Sequence, residues 1–359
     1  MRSSPHTGPT RFLLSAQPWL IAALVLLGAA CNRGVGVTEL TPLIRAQHTT
    51  MGSSLELTIA TTDAERARTA IDESFRVADR LDELMSVWKP GSDILRLNAA
   101  AGSAPVKIDT EVLEALRLAA QAGDWTEGKF DLTFGALSGL WRFDAQNESS
   151  EIPDPAEVAA RLPLVDYRKL TLDLERGTAY LQTKGMSAHL GGIGKGYAVD
   201  RVAQVLQQAG FRDFLVQFGG DLYASGLKEG LPWTLGIRDP RGPDDKVFAS
   251  VALSDATFST SGDYERFFMA NGRRYHHILD PDTGEPARGS RSVTIVAKTG
   301  AVADALSTGV FVLGPQKGMA LVERLPDVEA VIVTDRNEVL VSSGLKERLT
   351  MLGQPTDGP

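Results

Sequence analysis

Two patterns of apolar residues recur along this chain. In short stretches apolar and polar residues alternate, and in longer stretches an apolar residue recurs every three or four positions. Residues 54–59 alternate strictly, which is typical of a half-buried β-strand. The next stretch opens with Asp63 as a helix cap and repeats apolar residues along one helical face. That face comprises Ile71, Phe75, Ala78, Leu81 and Met85. The pattern therefore predicts a strand followed by a long amphipathic helix.

Three further segments carry helix start or stop signals. One begins near Asp109 or Thr110 and is apolar along one face. Its apolar residues are Val112, Leu113, Leu116 and Ala120. Asp154 is followed by proline at the first helical position and glutamate at the third, which predicts a second helix start. Residues 194–209 predict a third helix, which ends at Gly210.

Much of the remaining chain is predicted to form hairpins. One turn falls at Arg176-Gly177 and another at Asn271-Gly272, a strong signal for a two-residue turn. Residues 293–297 and 331–334 are expected to be core strands. Strands joined mainly by hairpins, with helices grouped between them, predict an α+β fold with antiparallel sheets and flanking helices. A doubly wound parallel sheet does not fit this order.

The first thirty residues have the features of an export signal. Arg2 and Arg11 precede the apolar stretch 19–30, which at twelve residues is too short to span a bilayer comfortably. Cys31, the only cysteine of the chain, follows directly. We therefore expect residues 1–30 to be a lipoprotein signal peptide and Cys31 to be the lipidation site. The protein would then be anchored on the extracytoplasmic side of a bacterial membrane.

The rest of the chain divides into three parts. We expect a tether over residues 31–44, one folded domain over 45–348 and a flexible tail over 349–359. Because the chain has a single cysteine, a disulfide within it is excluded.

Composition and charge narrow the class of function. Of the 359 residues 43% are hydrophobic and 23% charged, as in a globular protein. The formal charge is −8, and the chain beyond residue 30 is near −10 because the export signal holds two arginines and no acid. Nucleic-acid binding needs a basic surface, so a nucleic-acid partner is not expected. A nucleotide site must obtain its positive charge locally.

Residues 188–200 form a glycine-rich approach to a predicted helix, with Lys195 inside it. A Walker loop would need glycine at His189 and Ser or Thr at Gly196, and G-x-G-x-x-G fits in no register. Such glycines let the backbone approach a ligand closely, with Lys195 as a point charge beside a phosphate. A tight strand-to-helix turn with a solvated lysine fits the segment equally well.

Two other segments hold residues with catalytic chemistry. Asp304 and Thr308 are one helical turn apart, and their oxygens could bind Mg²⁺. Taken alone, Asp304 fits an ordinary helix N-cap or first-turn acid better. His277, at the end of a predicted strand, could be a general base or an ordinary strand-end histidine. Its neighbour His276 would face the other side of the strand.

Seven stretches together give the chain a family resemblance. They are Met51-Gly52-Ser53; Met85-Ser86-Val87-Trp88 with Leu97-Asn98; residues 128–135; residues 191–200; Gly219-Gly220-Asp221-Leu222; residues 259–266 with 277–284; and residues 303–308. All occur in the same order as in the ApbE family of FAD:protein FMN transferases. The chain resembles that family over about residues 45–345.

The resemblance implies both a fold and an activity. The fold would be a two-lobed α+β arrangement related to the tunnelling fold. The activity would be Mg²⁺-dependent transfer of the FMN half of FAD onto a threonine or serine hydroxyl of another protein, with release of AMP. This protein flavinylation is a post-translational modification. The implied partners are flavin-acceptor subunits of membrane redox complexes.

The resemblance also assigns residues. The positions that contact FAD are Met51, Trp88, Lys129, Phe130, Asp131, His189, Lys195 and Leu279. The metal positions are the Gly192 backbone carbonyl, Asp304 and Thr308, with Ser307 as an addition. From its place in the matched motif, His277 is our candidate base for the incoming hydroxyl, and Asp280 is a weaker candidate for orienting the reaction.

Two departures from the family pattern leave alternatives open. The family usually has aspartate where His189 stands and commonly tyrosine where Trp88 stands. A hydrolase that splits FAD into FMN and AMP would use the same site residues. A non-catalytic FAD-binding lipoprotein is the other alternative, with His189 as a sign of lost activity.

Overall fold

The computed structural model describes residues 41–143 and 151–358. The predicted signal peptide and Cys31 lie outside the described residues, as does most of the tether. The first strand starts at Leu43, two residues before the predicted domain start at 45. Within the described ranges, no helix has the length and apolar character needed to cross a bilayer.

The described residues contain sixteen strands and seven α-helices. The strands are β1 (Leu43–Thr50), β2 (Ser53–Ala60), β3 (Val106–Lys107), β4 (Leu170–Asp173), β5 (Thr178–Leu181), β6 (Phe214–Phe218), β7 (Asp221–Ser225), β8 (Trp233–Arg238), β9 (Val247–Leu253), β10 (Ala256–Gly262), β11 (Phe267–Ala270), β12 (Arg273–His276), β13 (Ser290–Ala297), β14 (Glu329–Thr334), β15 (Val339–Val341) and β16 (Leu349–Met351). The helices are α1 (Ala64–Met85), α2 (Asp93–Ala99), α3 (Thr110–Trp125), α4 (Pro155–Arg161), α5 (Gly194–Gln208), α6 (Gly300–Leu313) and α7 (Pro315–Val322).

Eight strands form the main sheet, in the order β1-β2-β6-β7-β10-β13-β14-β15, and all of its pairings are antiparallel. Three smaller antiparallel sheets accompany it, in the orders β11-β12, β16-β9-β8 and β3-β5-β4. The predicted α+β class with antiparallel, hairpin-rich sheets is confirmed.

The predicted helix starts and the clearest hairpin are also confirmed. Asp63, Asp109 and Asp154 are the N-cap residues of α1, α3 and α4, and each side chain accepts a hydrogen bond from a first-turn backbone N–H. Asn271 and Gly272 join β11 to β12 with φ angles of 51° and 72°. Two consecutive positive φ angles define a type I′ turn, whose twist suits the flanking strands.

Both faces of the main sheet are covered over its central strands. Val293 and Ile295 of β13 face the layer formed by α6 and α7. Val296, on the opposite face of the same strand, packs against the sheet of β8, β9 and β16. A third apolar cluster joins α1, α3 and α5 to β2 and β6. Burial on both faces explains why every residue of β13 is buried.

The prediction of a flexible tail over residues 349–359 is wrong for residues 349–358. Leu349–Met351 is strand β16, which pairs with β9. Beyond it, the buried Asp239 accepts hydrogen bonds from the backbone N–H and hydroxyl of Thr356, the hydroxyl at 2.7 Å. The Asn337 amide binds the Pro355 carbonyl at 2.8 Å. These partners come from distant segments, so local composition did not reveal them.

Candidate active site

The glycine-rich loop before α5 is held by its neighbours. The Asn98 amide group of α2 bonds to both the N–H and the carbonyl of Ala188, at 2.7 and 2.9 Å. His189 donates its backbone N–H to the Leu132 carbonyl at 2.8 Å. Its ring Nδ1 accepts the Gly191 N–H at 2.9 Å, which closes a tight turn. The loop therefore has a defined shape before any ligand binds.

The His189 ring is neutral in this position. Burial, with a contribution from the positive charge of Arg266, lowers the pKa of His189 to about 4. Because Nδ1 accepts a hydrogen bond, the proton is on Nε2. An aspartate at this position would close the turn with its charged carboxylate. His189 closes it with an uncharged ring nitrogen.

Helices α5 and α6 cap one another. Asp304 of α6 accepts the Gly196 N–H in the first turn of α5 at 3.0 Å. In return, Asp200 of α5 accepts the N–H groups of Gly300 and Ala301 at the start of α6, at 2.6 and 2.9 Å. Asp304 therefore does not cap its own helix, contrary to the ordinary interpretation of an acid at this position.

The crossing of the two helices depends on glycine. A Cβ atom on Gly196 would lie 2.6 Å from the Asp304 Cβ and would overlap the Gly300 carbonyl oxygen. A side chain on Gly300 would likewise overlap the Gly196 carbonyl. Only glycine at both positions lets the helix backbones approach closely enough for the mutual capping.

Lys195 lies on the first turn of α5 and points to a buried carboxylate. Its Nζ is 2.6 Å from Asp221 Oδ2, and the other Asp221 oxygen accepts the Ser259 hydroxyl at 2.6 Å. Burial opposes the charged lysine, but Asp221 and Asp304 outweigh it, and the pKa of Lys195 is raised above its ordinary value. Lys195 is therefore a fixed cation, rather than the solvated lysine of the ordinary interpretation.

Oxygen atoms from α6 and β10 gather next to this pair. The Ser261 hydroxyl is 2.8 Å from that of Ser307 and 3.1 Å from that of Thr308. Ser307 also donates to the Asp304 carbonyl at 2.8 Å. Asp304 and Thr308 share one face of α6, as their spacing predicted.

The loop meets this oxygen cluster at Gly192. A Cβ built on Gly192 would lie 3.4 Å from Thr308 Oγ1 and 3.1 Å from the Phe130 ring. A side chain at Gly192 would therefore touch Thr308, and the two positions that the resemblance assigns to the metal are neighbours. Burial, with the nearby Asp221 carboxylate, raises the pKa of Asp304 to about 7.

The chemistry of these donors fits a hard cation. Carboxylate, hydroxyl and backbone carbonyl oxygens are the ligands that Mg²⁺ takes, together with water and phosphate. Among the described residues, no three His, Cys, Asp or Glu side chains converge as a metal cluster. A metal at Asp304 would therefore depend on the hydroxyls and on the Gly192 backbone.

His277 follows β12 and bonds back to the start of the preceding strand. Its backbone N–H donates to the Arg266 carbonyl at 3.1 Å, and its ring Nδ1 donates to the same oxygen at 3.3 Å. Burial and the Arg266 charge lower the pKa of His277 to about 3, so the ring is neutral. His276 faces the opposite side, against Phe311, as predicted.

Lys129 and Asp280 form an ion pair. Lys129 Nζ is 2.7 Å from Asp280 and 2.8 Å from Asp282. The Asp280 carboxylate also accepts the Asp282 N–H, so it shapes the turn after Leu279. The His277 ring bonds to the Arg266 carbonyl rather than to Asp280, so the geometry does not support Asp280 as the group that orients His277.

Asp131 holds its own segment together. One of its oxygens accepts the N–H and hydroxyl of Thr133 at 2.7 and 2.6 Å, and the other accepts the Tyr167 N–H at 2.8 Å. The residue is buried. We therefore assign Asp131 to fixing the turn that presents Lys129 and Phe130.

The remaining predicted positions lie around the loop to different extents. Met51 lies in the β1–β2 turn. A Cβ atom built on Gly194 would be 3.5 Å from the Met51 methyl group. Leu279 pairs with Pro286 in an isolated bridge and is half-buried. Trp88 is 85% exposed and stacks on no ring among the described residues.

Two residues of the site had no role in the sequence prediction. Asp221 anchors Lys195, and Asp200 caps α6. Asp221 stood in a matched motif, but a buried anchor for a lysine 26 residues away leaves no local pattern. Asp200 ends the glycine-lysine segment, and its target, the start of α6, is 100 residues away.

The fold is that of a class of flavin transferases with solved structures. The crystal structure of the ApbE protein from Thermotoga maritima superposes with a TM-score of 0.78, at 32% identity, over 86% of this chain and 99% of that one. The flavin transferase ApbE from Vibrio cholerae gives 0.76 at 28% identity, over 86% and 100%.

Sequence comparison gives the same class. The FAD:protein FMN transferase of Treponema pallidum is 36% identical over 304 residues, which are 80% of this chain and 83% of that protein. That of Klebsiella pneumoniae is 32% identical over 303 residues. The model of the ApbE family matches residues 51–332. The chain belongs to the ApbE family, and the resemblance seen in its motifs is confirmed.

We expect Gly196→Ala to separate α5 from α6. The added methyl overlaps backbone and the Asp304 side chain, neither of which can move without breaking the mutual caps, and the cost should be about 3 kcal/mol or more. Urea unfolding measures this change. Gly353→Ala, with no atom within 4 Å of the added methyl, is the control and should match the wild type. Equal stability of both variants would contradict the close-packed crossing.

Proposed function

We propose that this protein transfers the FMN half of FAD onto a hydroxyl of another protein and releases AMP. The observation that carries the proposal is the convergence of Lys195, Asp304 and Thr308 on the glycine-rich loop of an ApbE-family fold. The relatives that match are named FAD:protein FMN transferases. A threonine or serine hydroxyl is the acceptor that we propose, as the motif resemblance implies.

The reaction is a displacement at the FMN-side phosphorus. A bond forms between the acceptor oxygen and that phosphorus, and the bond from phosphorus to the oxygen that bridges the two phosphates breaks. AMP leaves with the electron pair, and the hydroxyl proton passes to a base on the enzyme. Positioning and electrostatic stabilisation provide most of the catalysis in such phosphoryl transfers.

His277 is suited to the role of base by its tautomer. Because its Nδ1–H donates to the Arg266 carbonyl, the lone pair is on Nε2 and can accept a proton. Its lowered pKa keeps the ring neutral before substrate arrives. A bound diphosphate would add negative charge nearby, which raises that pKa and makes the imidazole a better proton acceptor.

Asp304, Thr308 and the Gly192 carbonyl would hold Mg²⁺, with Ser307 next to them. When bound, the ion supplies positive charge to the phosphate oxygens. The chain's own part is to fix these oxygens through the α5–α6 crossing and to keep Lys195 charged beside them.

Flavin and adenine contacts are proposed for the residues that border the loop. Met51 and Phe130 pack beside Gly194 and Gly192, and Lys129 lies in a nearby turn with Leu279. The exposed indole of Trp88 offers a free face on which a flat ring can stack. Asp131 is left out of this set, because protein donors occupy both of its oxygens.

The partners and location that we propose follow from the sequence signals. Acceptors would be flavoprotein subunits of membrane redox complexes, exposed on the extracytoplasmic side. A lipid on Cys31 would keep the enzyme at the same membrane surface, which raises its local concentration near them.

Transfer is tested by incubating the protein with FAD, Mg²⁺ and a candidate acceptor domain, followed by intact mass. We expect the acceptor to gain the mass of FMN. His277→Gln should slow this gain by a factor of about 10² to 10⁴, the usual contribution of a general base. His48→Gln, at a half-buried histidine of β1 that pairs with Asp79, is the matched control.

The other outcomes of this assay distinguish the alternatives. AMP release without a mass gain on the acceptor would indicate FAD hydrolysis. FAD binding without AMP would indicate a non-catalytic binding protein. A wild-type rate for His277→Gln at saturating FAD and acceptor would remove His277 from the role of base.

The metal assignment is tested at Thr308 with a matched pair of variants. We expect chelation by EDTA to stop transfer and added Mg²⁺ to restore it. Thr308→Val removes the hydroxyl at nearly constant volume and should raise the Mg²⁺ concentration needed for half-maximal rate by about tenfold or more. Thr308→Ser keeps the oxygen and should stay near wild type. An equal Mg²⁺ requirement in both variants argues against Thr308 as a ligand.

The anchor is tested at Cys31 in a bacterium that exports the protein. Cys31→Ser should abolish incorporation of radiolabelled palmitate and move the protein from the membrane fraction to the aqueous fraction. Asn32→Ala, the adjacent control, should remain labelled. Palmitate labelling of the Cys31→Ser variant would show that another residue bears the lipid.

A further inference from the structure

Arg266 lies directly across a hairpin from His277. Phe267 of β11 pairs with His276 of β12, so the next pair outward is Arg266 with His277. The His277 N–H donates to the Arg266 carbonyl at 3.1 Å, which extends the ladder by that pair. Paired residues in antiparallel strands project from the same face, with Cβ atoms about 5 Å apart. The Arg266 side chain therefore emerges beside the His277 ring.

The other cations near the loop are already bound to carboxylates. Lys195 is paired with Asp221 at 2.6 Å, and Lys129 with Asp280 at 2.7 Å. Arg266 differs from both, since its guanidinium forms no ion pair with any carboxylate in residues 41–143 or 151–358.

The acids closest to Arg266 in sequence have other partners. Glu265 is 3.5 Å from Arg238, and the Asp263 carboxylate binds Arg241 through two hydrogen bonds of 2.7 Å each. These pairings leave Arg266 as an available positive charge at the end of the hairpin.

The positive charge of Arg266 reaches the centre of the site. It lowers the pKa of both His277 and His189, and it opposes the charged form of Lys195. His189 and Lys195 belong to the glycine-rich segment and His277 follows β12, so the guanidinium lies near the place where these two segments meet. A cation placed among a lysine and two imidazoles, with no carboxylate of its own, is stabilised when an anion occupies the space between them.

We infer that the Arg266 guanidinium binds the FMN-side phosphate of FAD and holds the phosphorus beside His277. Guanidinium groups bind phosphate oxygens through two parallel N–H donors, which fixes orientation as well as supplying charge. The adjacent His277 would then be in position to receive the proton of the incoming hydroxyl. This inference rests on the proposed flavin transfer and adds a phosphate-binding residue to it.

The test compares Arg266→Gln and Arg266→Lys with the full-length wild-type protein. FAD supports the transfer reaction, while FMN and AMP are added separately as competitors. FMN carries the phosphate in question, and AMP carries the other one. We expect Arg266→Gln to raise the inhibition constant of FMN by about 10- to 100-fold, the usual effect of losing a charged hydrogen bond. The constant for AMP should change less than twofold.

The transfer rate gives a second readout. In Arg266→Gln, kcat/KM for FAD should fall by at least the factor by which the inhibition constant of FMN rises. In Arg266→Lys, kcat/KM should be higher than in Arg266→Gln, because the positive charge remains. Arg273→Gln changes an exposed arginine at the other end of the hairpin, over Tyr275, and should leave both inhibition constants unchanged.

Three results would overturn the inference. In the first, Arg266→Gln keeps the wild-type inhibition constant of FMN and the wild-type transfer rate. In the second, the inhibition constants of FMN and AMP rise by the same factor, which would indicate a general disturbance of the site. If the wild-type protein transfers no FMN at all, the proposed function itself has failed, and the inference fails with it. Wild-type activity separates that last case from the first two.

Discussion

The site depends on two helices that cap each other across a crossing made of glycine. Each carboxylate accepts N–H groups that have no partner within their own helix, so each helix start is stabilised by the other helix. Lys195 is on the first turn of α5, and Thr308 is on the same face of α6 as Asp304, one turn further along. The crossing therefore fixes the lysine, the carboxylate and the hydroxyl as one rigid unit.

Charge is distributed unevenly around this unit. Asp221 and Lys195 form an ion pair at the centre, and the buried Asp304 beside them has a pKa raised to about 7. A divalent cation would favour the ionised form of Asp304, whereas a diphosphate needs positive charge from the rim. The hairpin of β11 and β12 forms a two-stranded sheet of its own, and Arg266 next to it supplies positive charge at the rim. The proposed metal residues thus lie on the loop and α6, whereas the proposed phosphate-binding residues come from both α5 and this hairpin.

Sequence patterns predicted the fold class and much of the site because both leave local signals. Helix caps such as Asp63 and the Asn271-Gly272 turn act within a few residues, and the motifs placed Lys195, His277 and Asp304. The misses are long-range contacts. The tail appeared polar and short, yet Asp239 holds Thr356 across 117 residues. Likewise, nothing near Asp131 indicates that its carboxylate is occupied by the Tyr167 N–H.

The His189 ring separates two properties of the loop that a carboxylate would combine. It accepts the Gly191 N–H and so preserves the turn, but it contributes no charge. Exchange between a charged aspartate and the neutral histidine at this position would change the local charge by about one elementary charge while the turn is still closed. Evolution can therefore adjust how strongly this loop repels or attracts an anion without rebuilding it, and homologues with either residue should superpose closely here.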